Sequence, residues 1–254
     1  MKLYGNQLIA VIMPVRNGMP LIKESIDSIR AQDYSPLEIV IVDDASTDGT
    51  RDYLHSMTGV CLKVLELDGK GPSAARNAGI RATKAALTGF LDADDLWPPG
   101  TLRALSAALL ENPAAGFAQG MIRNFRANSQ GNREVFTPPY RFLNLGASLW
   151  RRAVFEKVGG FDEGLRLCED LDFLMRCWEN DIRKAQLDQV TLLYRRHPGN
   201  MTHGLSGAGF GTVAAFKQRI ERVRKGLYDP AAPRLFNQAS YMGSPPPHQD
   251  RGFA

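Results

Sequence analysis

A chain of 254 residues, 44% hydrophobic and 23% charged, is long enough to bury a core and fits one α/β domain or two joined halves. No apolar run approaches the ~20 residues of a membrane-spanning helix, and Met1 to Gly5 lacks the apolar core of a secretory signal, so a cytoplasmic location is expected. A net charge of +4 without zinc-finger spacing or an aromatic-basic RNA motif argues against nucleic-acid binding, and three scattered cysteines (Cys61, Cys168, Cys177) argue against a disulfide framework or a zinc site.

In chain order, Ile9 to Met13 is a short apolar strand ended by Pro14, and Pro20 opens a helix with Ile22, Ile26 and Ile29 on one face. Leu37 to Val42 reads as a buried parallel strand, followed by a polar turn from Asp43 to Thr50 and a short helix. Leu62 to Leu67 gives a third strand, Ser73 to Ala86 an Ala-rich helix, and a fourth strand ends at Asp92. This alternation predicts a doubly wound, mostly parallel sheet flanked by helices. After Pro99 comes a helix with Leu102, Leu105 and Leu109 in a stripe, and Pro113 to Gly116 breaks it at an expected boundary between halves. The second half reads as a strand over Phe117 to Arg126, a polar loop from Asn128 to Arg133, a short helix from Val154 to Val158 stopped by Gly159-Gly160, and an amphipathic helix carrying Leu171, Leu174, Met175 and Trp178. The Arg219 to Lys225 run is a solvated helix face or a contact for an anionic membrane surface or acidic acceptor, and residues 226–254 read as a loosely ordered tail.

Ligands of open α/β sheets bind beyond the carboxyl ends of the strands, where this chain places Arg16-Asn17, Asp43-Asp44 and Asp92-Ala93-Asp94. On an extended strand Asp92 and Asp94 share a face, and a hard divalent cation would relieve their repulsion while leaving positions for phosphates. The plainer reading is an acidic turn. Asp43 and Asp44 can accept from a nucleobase N–H or ribose hydroxyls, or can simply cap the turn. Gly69-Lys70-Gly71-Pro72-Ser73-Ala74 fits a dinucleotide fingerprint, but Pro72 removes a backbone donor that a pyrophosphate would use. Arg76, just beyond, suits a phosphate or a base, or a surface salt bridge. Glu169-Asp170 precedes a helix, where carboxylates cap N–H groups, and a carboxylate there can also serve as a general base. His197 stands alone. These residues leave open a sugar-1-phosphate nucleotidyltransferase and a non-catalytic nucleotide-sugar-binding protein.

Six strings, VIMPVRNG, IVDDASTDGT, SAARNAGI, FLDADD, VGGFDE with CEDLDFLMR, and YRRHPGNMT, occur in an order that resembles the family-2 glycosyltransferases with the GT-A fold, over roughly residues 8 to 203. The resemblance implies one GT-A domain over residues 1–225, with a nucleotide-sugar half (about 8–116) and an acceptor half (about 117–205). It implies Pro14, Asn17, Asp43, Asp44, Arg76 and Asp92 around the nucleotide. Asp92 and Asp94 become the pair for Mn²⁺ or Mg²⁺, with Asp94 the direct ligand and His197 completing the metal or diphosphate site. Asp170 becomes the catalytic base, oriented by Glu169, in an inverting transfer from a UDP-linked sugar to a hydroxyl of a glycan or lipid-linked acceptor. The chain departs from many relatives at Arg16, where Tyr is usual, and at Ala45, where Gly is usual.

Overall fold

The structure, a computed structural model, describes residues 7–57, 62–142, 144–165, 167–200 and 210–227, so most of the expected tail lies outside the described residues. Four apolar runs form the parallel part of one sheet: β1 (Ile9–Val15), β2 (Leu37–Asp44), β3 (Leu62–Leu67) and β4 (Leu87–Phe90), in the spatial order β3, β2, β1, β4. The sheet continues through β7 (Ser148–Arg151), antiparallel to β4, and then β5 (Ala115–Ala127), antiparallel to β7 and therefore aligned with β1 to β4. β8 (Arg183–Arg195) joins β5 in parallel, and β6 (Arg133–Val135) caps the edge. The expected break at Pro113 to Gly116 is thus no division of the sheet. It is a turn closed by Ala115 N donating to Asn112 O at 2.9 Å, and β5 begins immediately.

Period-two alternation builds a core on each face of the sheet. Ile9, Val11, Met13, Ile39 and Ile41 meet Ile22, Ile26 and Ile29 of α1 (Ile22–Arg30) and Leu102, Leu105 and Leu109 of α4 (Thr101–Glu111). On the opposite face Ile12, Val40, Val42 and Phe90 meet Ala75 of α3 (Pro72–Ala82) and an aromatic cluster of Trp150, Phe155, Phe161 and Phe173. Each fully buried side chain of this size contributes about 1.5–3 kcal/mol. Gly79 lets α3 lie against β1, since a Cβ there would sit 2.4 Å from Ile12 Cγ2. The helices α2 (Thr50–Ser56), α5 (Arg152–Val158), α6 (Glu169–Glu179) and α7 (Phe210–Arg224) complete the described fold.

Three expected boundaries move. Helix α3 ends at Ala82 rather than Ala86, because Thr83 is extended (φ −120°, ψ 157°) and its hydroxyl donates to Glu38 Oε2 while accepting from Ala85 N. Strand β2 runs through Asp44, so the paired acids are its last residues and point to opposite faces. Strand β4 stops at Phe90, and Asp92 to Asp95 is a turn closed by Asp95 N donating to Asp92 O at 3.1 Å. The shared-face argument for Asp92 and Asp94 therefore fails, and the turn, not a strand, presents them.

Candidate active site

The segments following β1 and β2 are stitched together at the carboxyl edge of the sheet. Asn17, in the left-handed region at φ 56°, donates its N–H to Ser46 Oγ (2.8 Å), and its side-chain oxygen accepts from Thr47 N (2.8 Å). Gly18 N donates to Thr50 Oγ1 and Met19 N to Asp48 Oδ2, both at 2.9 Å. Pro14 pairs with Val42 inside β1. Ala45 sits at φ 63°, a conformation that costs a residue with a Cβ about 1–2 kcal/mol. Ala45→Gly should raise stability by up to about 1 kcal/mol, after the greater backbone freedom of Gly is subtracted, as read from the melting temperature; a lower value would contradict the strain.

Asp43 is fully buried at the tip of β2. Its Oδ2 accepts from Arg51 Nε and Nη2 at 3.2 and 3.1 Å, whereas its Oδ1 has no hydrogen-bond partner. A buried carboxylate oxygen left without a donor is costly, and a ligand N–H aimed at the strand tip would satisfy it. Asp44 is committed differently: its two oxygens accept from Lys70 N and Gly71 N, each at 2.7 Å. Both amides lie in the Gly69 to Ala74 stretch that fits the dinucleotide fingerprint, so the chain's own carboxylate occupies donors that a pyrophosphate there would use.

Helix α3 ties the 92–95 turn to the segment that opens α6. Arg76 is buried and bridges Asp92 Oδ1 (2.9 Å, through Nη2) and Glu169 Oε1 (2.6 Å, through Nη1). Burial disfavours its charge, but Asp92 and Glu169 outweigh that and hold its pKa above the ordinary value. The next residue, Asn77, accepts from Phe161 N and donates to Phe161 O, both at 2.8 Å, pinning the segment that leads into α6. Glu169 and Asp170 open α6 after Cys168, itself left-handed at φ 60°. Since Glu169 is engaged by Arg76, Asp170 is the freer acid, accepting only from its neighbour Leu171 N (2.7 Å) among the described contacts. Burial and the adjacent Glu169 push its carboxyl up to about 6, with Arg76 pulling the other way.

The 92–95 turn is clamped from the far side. Asp94 Oδ2 faces His197 Nε2 at 3.0 Å and accepts from Asn200 Nδ2 at 3.2 Å. Arg195 donates its backbone N–H to Asp95 Oδ1 (2.8 Å), Nε to Asp94 O (2.6 Å) and Nη2 to Glu24 Oε2 (2.9 Å). Burial and the Asp92 charge raise the Asp94 carboxyl, and His197 offsets this in part. His197 Nδ1 accepts from Gly199 N at 3.1 Å, which places the ring proton on Nε2, donating to Asp94. In this arrangement His197 faces Asp94 and helps to orient it. Asp92 and Asp94 do fit a hard divalent ion: the local surplus of negative charge calls for one, and each carboxylate has about four acceptor sites, more than these bonds use. Among the described residues no group of three or more His, Cys, Asp and Glu side chains is arranged to hold a metal. The fit is therefore to an ion that takes its remaining ligands from bound phosphates or water.

The structure thus gathers Asn17, Asp43, Arg76, Asp92, Asp94, Glu169, Asp170 and His197 at one sheet edge, with Pro14 and Asp44 supporting it. Sequence reasoning passed over Arg51, Asn77, Arg195 and Asn200. Asn77, Arg195 and Asn200 lay within quoted strings, and a polar residue one to three positions from a candidate ligand is the signal that could have found them. Residues 10–162 match the family model described as glycosyl transferase family 2. The chain belongs to this family. Its relatives include the uncharacterized glycosyltransferase EpsJ of Bacillus subtilis, 26% identical over 221 residues, which span 77% of this chain and 63% of EpsJ. The succinoglycan biosynthesis protein ExoU of Rhizobium meliloti is 30% identical over 202 residues, covering 69% of this chain and 58% of ExoU. The chain therefore spans about three fifths of the length of either relative. The crystal structure of S. aureus TarS 1-349 in complex with UDP-GlcNAc superposes with a TM-score of 0.67 at 25% identity, over 87% of this chain and 67% of that one. The fold is the GT-A fold of this glycosyltransferase family, as the six strings implied.

Proposed function

We propose that this family-2 glycosyltransferase moves a sugar from a UDP-linked donor to a hydroxyl of a glycan or lipid-linked acceptor, with inversion at the anomeric carbon. The Arg76 bridge carries the reading. One guanidinium joins Asp92, on the turn suited to a diphosphate and its cation, to Glu169, the residue beside the candidate base. Donor chemistry and acceptor chemistry then share a single crevice. Asp43 Oδ1 accepts the imide N–H of the uracil, the partner it otherwise lacks. Arg76 and the segment at Asn17 line the path of the ribose and diphosphate.

Asp170 takes the proton of the acceptor hydroxyl as its oxygen bonds to the anomeric carbon, and the bond to the diphosphate breaks with its electron pair leaving on phosphate oxygen. One base acting on a direct displacement requires no covalent sugar-enzyme intermediate. Glu169, held by Arg76, lies beside Asp170 and raises the basicity of that carboxylate. A divalent cation, Mn²⁺ or Mg²⁺, held by Asp94 with Asp92, supplies charge stabilisation to the leaving diphosphate when bound. His197, Asn200 and Arg195 fix the orientation of Asp94.

Asp43→Ala should weaken UDP binding in calorimetry about tenfold or more, the worth of a hydrogen bond to a charged group. Arg51→Ala, which frees the other Asp43 oxygen, should weaken it less. Unchanged affinity in Asp43→Ala would remove the base contact. The reaction class is tested by product analysis with a UDP-sugar panel: UDP release supports transfer, whereas pyrophosphate release would replace it with nucleotidyl transfer.

A further inference from the structure

Helix α7 turns its polar side inward. Arg222 donates Nη1 to Asp172 Oδ1 (2.8 Å) and Nε and Nη2 to Glu179 (2.9 and 3.1 Å), both on α6. Arg219 lies over the Trp178 ring at 5.4 Å and pairs with Glu179, and Ala215 fills the gap against Leu171 and Met175. These ion pairs fix the rotation of the helix and leave its apolar residues outside: Val213 is 51% exposed, Ile220 50% and Phe216 37%, with Leu227 just beyond at 71%. At helical spacing Val213, Phe216 and Ile220 fall within a stripe of roughly 60°, with Lys217 and Arg224 within roughly 40° of Val213. Among the described residues neither cation pairs with a carboxylate. A surface helix ordinarily buries its apolar stripe; here Arg219 and Arg222 take the inward side beside Ala215, and Val213, Phe216 and Ile220 are left outside.

We propose that this outward stripe docks flat on an anionic bilayer surface, with Val213, Phe216, Ile220 and Leu227 entering the acyl boundary and Lys217 and Arg224 at the lipid phosphates. Charge decides the occupant. A second copy seated on the same patch across a two-fold axis would set these cations against their own equivalents. Lipid phosphate supplies the opposite sign. Because α7 packs on α6, whose first turn holds Asp170, docking brings the base side of the crevice towards the membrane plane.

The test is sedimentation of the 254-residue chain with vesicles of phosphatidylglycerol and phosphatidylcholine, or of phosphatidylcholine alone. The chain binds the anionic vesicles and not the neutral ones, and binding weakens as salt rises. Ile220→Asp and the double variant Lys217→Glu/Arg224→Glu each reduce vesicle affinity by about tenfold or more. Their melting temperatures stay unchanged, since these side chains point away from the protein, and so does transfer to a water-soluble acceptor without vesicles. The docking face can therefore fail while the reading of the catalytic crevice stands. Absence of binding to anionic vesicles, or equal binding by both variants, overturns the proposal. A dimer in light scattering that Ile220→Asp returns to a monomer assigns the stripe to a second copy and overturns it as well.

Discussion

Asp170→Asn is expected to bind donor as the native chain does and to lose transfer by roughly 10²–10⁴, the contribution of one positioned proton transfer. The amide keeps the size of the side chain and can still accept from Leu171 N, so α6 begins as before. What it loses is basicity. The native carboxyl is pushed up to about 6 by burial and Glu169, so only its ionised form, prevailing above that pH, can take a proton. kcat/KM should rise with pH through about 6 and level off, and this limb should vanish from the residual activity of the variant. The stability sign runs the other way. A carboxyl whose folded pKa lies above its unfolded value holds its proton more tightly when folded, so its contribution to stability is lost as pH rises through the window from about 4 to about 6. At neutral pH the Asn variant should melt no lower than the native chain, which separates lost chemistry from lost structure. Near-normal turnover in Asp170→Asn would exclude it as the base.

Asp94→Ala is expected to abolish the dependence of donor binding on Mn²⁺. Calorimetry with a UDP-sugar should show affinity weakened by ~10²-fold or more with the ion present, since removing even an outer partner of a metal ligand costs 10–100-fold. His197→Ala provides the contrast. Because its ring proton faces Asp94, its loss should weaken metal affinity by roughly tenfold and leave a measurable Mn²⁺ response. Unchanged donor affinity in Asp94→Ala, or a total loss of the Mn²⁺ response in His197→Ala, would show that the roles of the two residues are misassigned.

The parallel core was legible in the sequence because β1 and β2 carry continuous apolar runs closed by polar clusters, as suits strands buried on both faces, while β3 (LKVLEL) and β4 (LTGF) follow from the alternation of strand and helix. The second half was less so. Strand β7 is only four residues long and β8 mixes exposed and buried positions, so neither announces itself by period, and nothing local declares that β7 runs antiparallel between β4 and β5. The acids were found because doubled carboxylates at strand ends are costly without partners. Their partners were not, because Asp92 meets Arg76 across 16 positions, Asp94 meets His197 across 103, and Arg76 meets Glu169 across 93. Spacing cannot express such distances. Asp92 and Asp94 were expected to share a face of a strand, whereas a turn and not a pleat presents them.

The uninterrupted pairing of β4 with β7 and of β7 with β5 has a kinetic corollary. Rotating one half of the molecule away from the other would rupture main-chain ladders in the middle of the sheet, so a hinged clamshell is not available to this fold. In the proposed reaction, admission of donor and escape of spent nucleotide would then fall to segments outside the ladders, among them 16–19 and 197–200. Turnover limited by product departure would accordingly respond to stiffening those two stretches and ignore cross-links across the sheet.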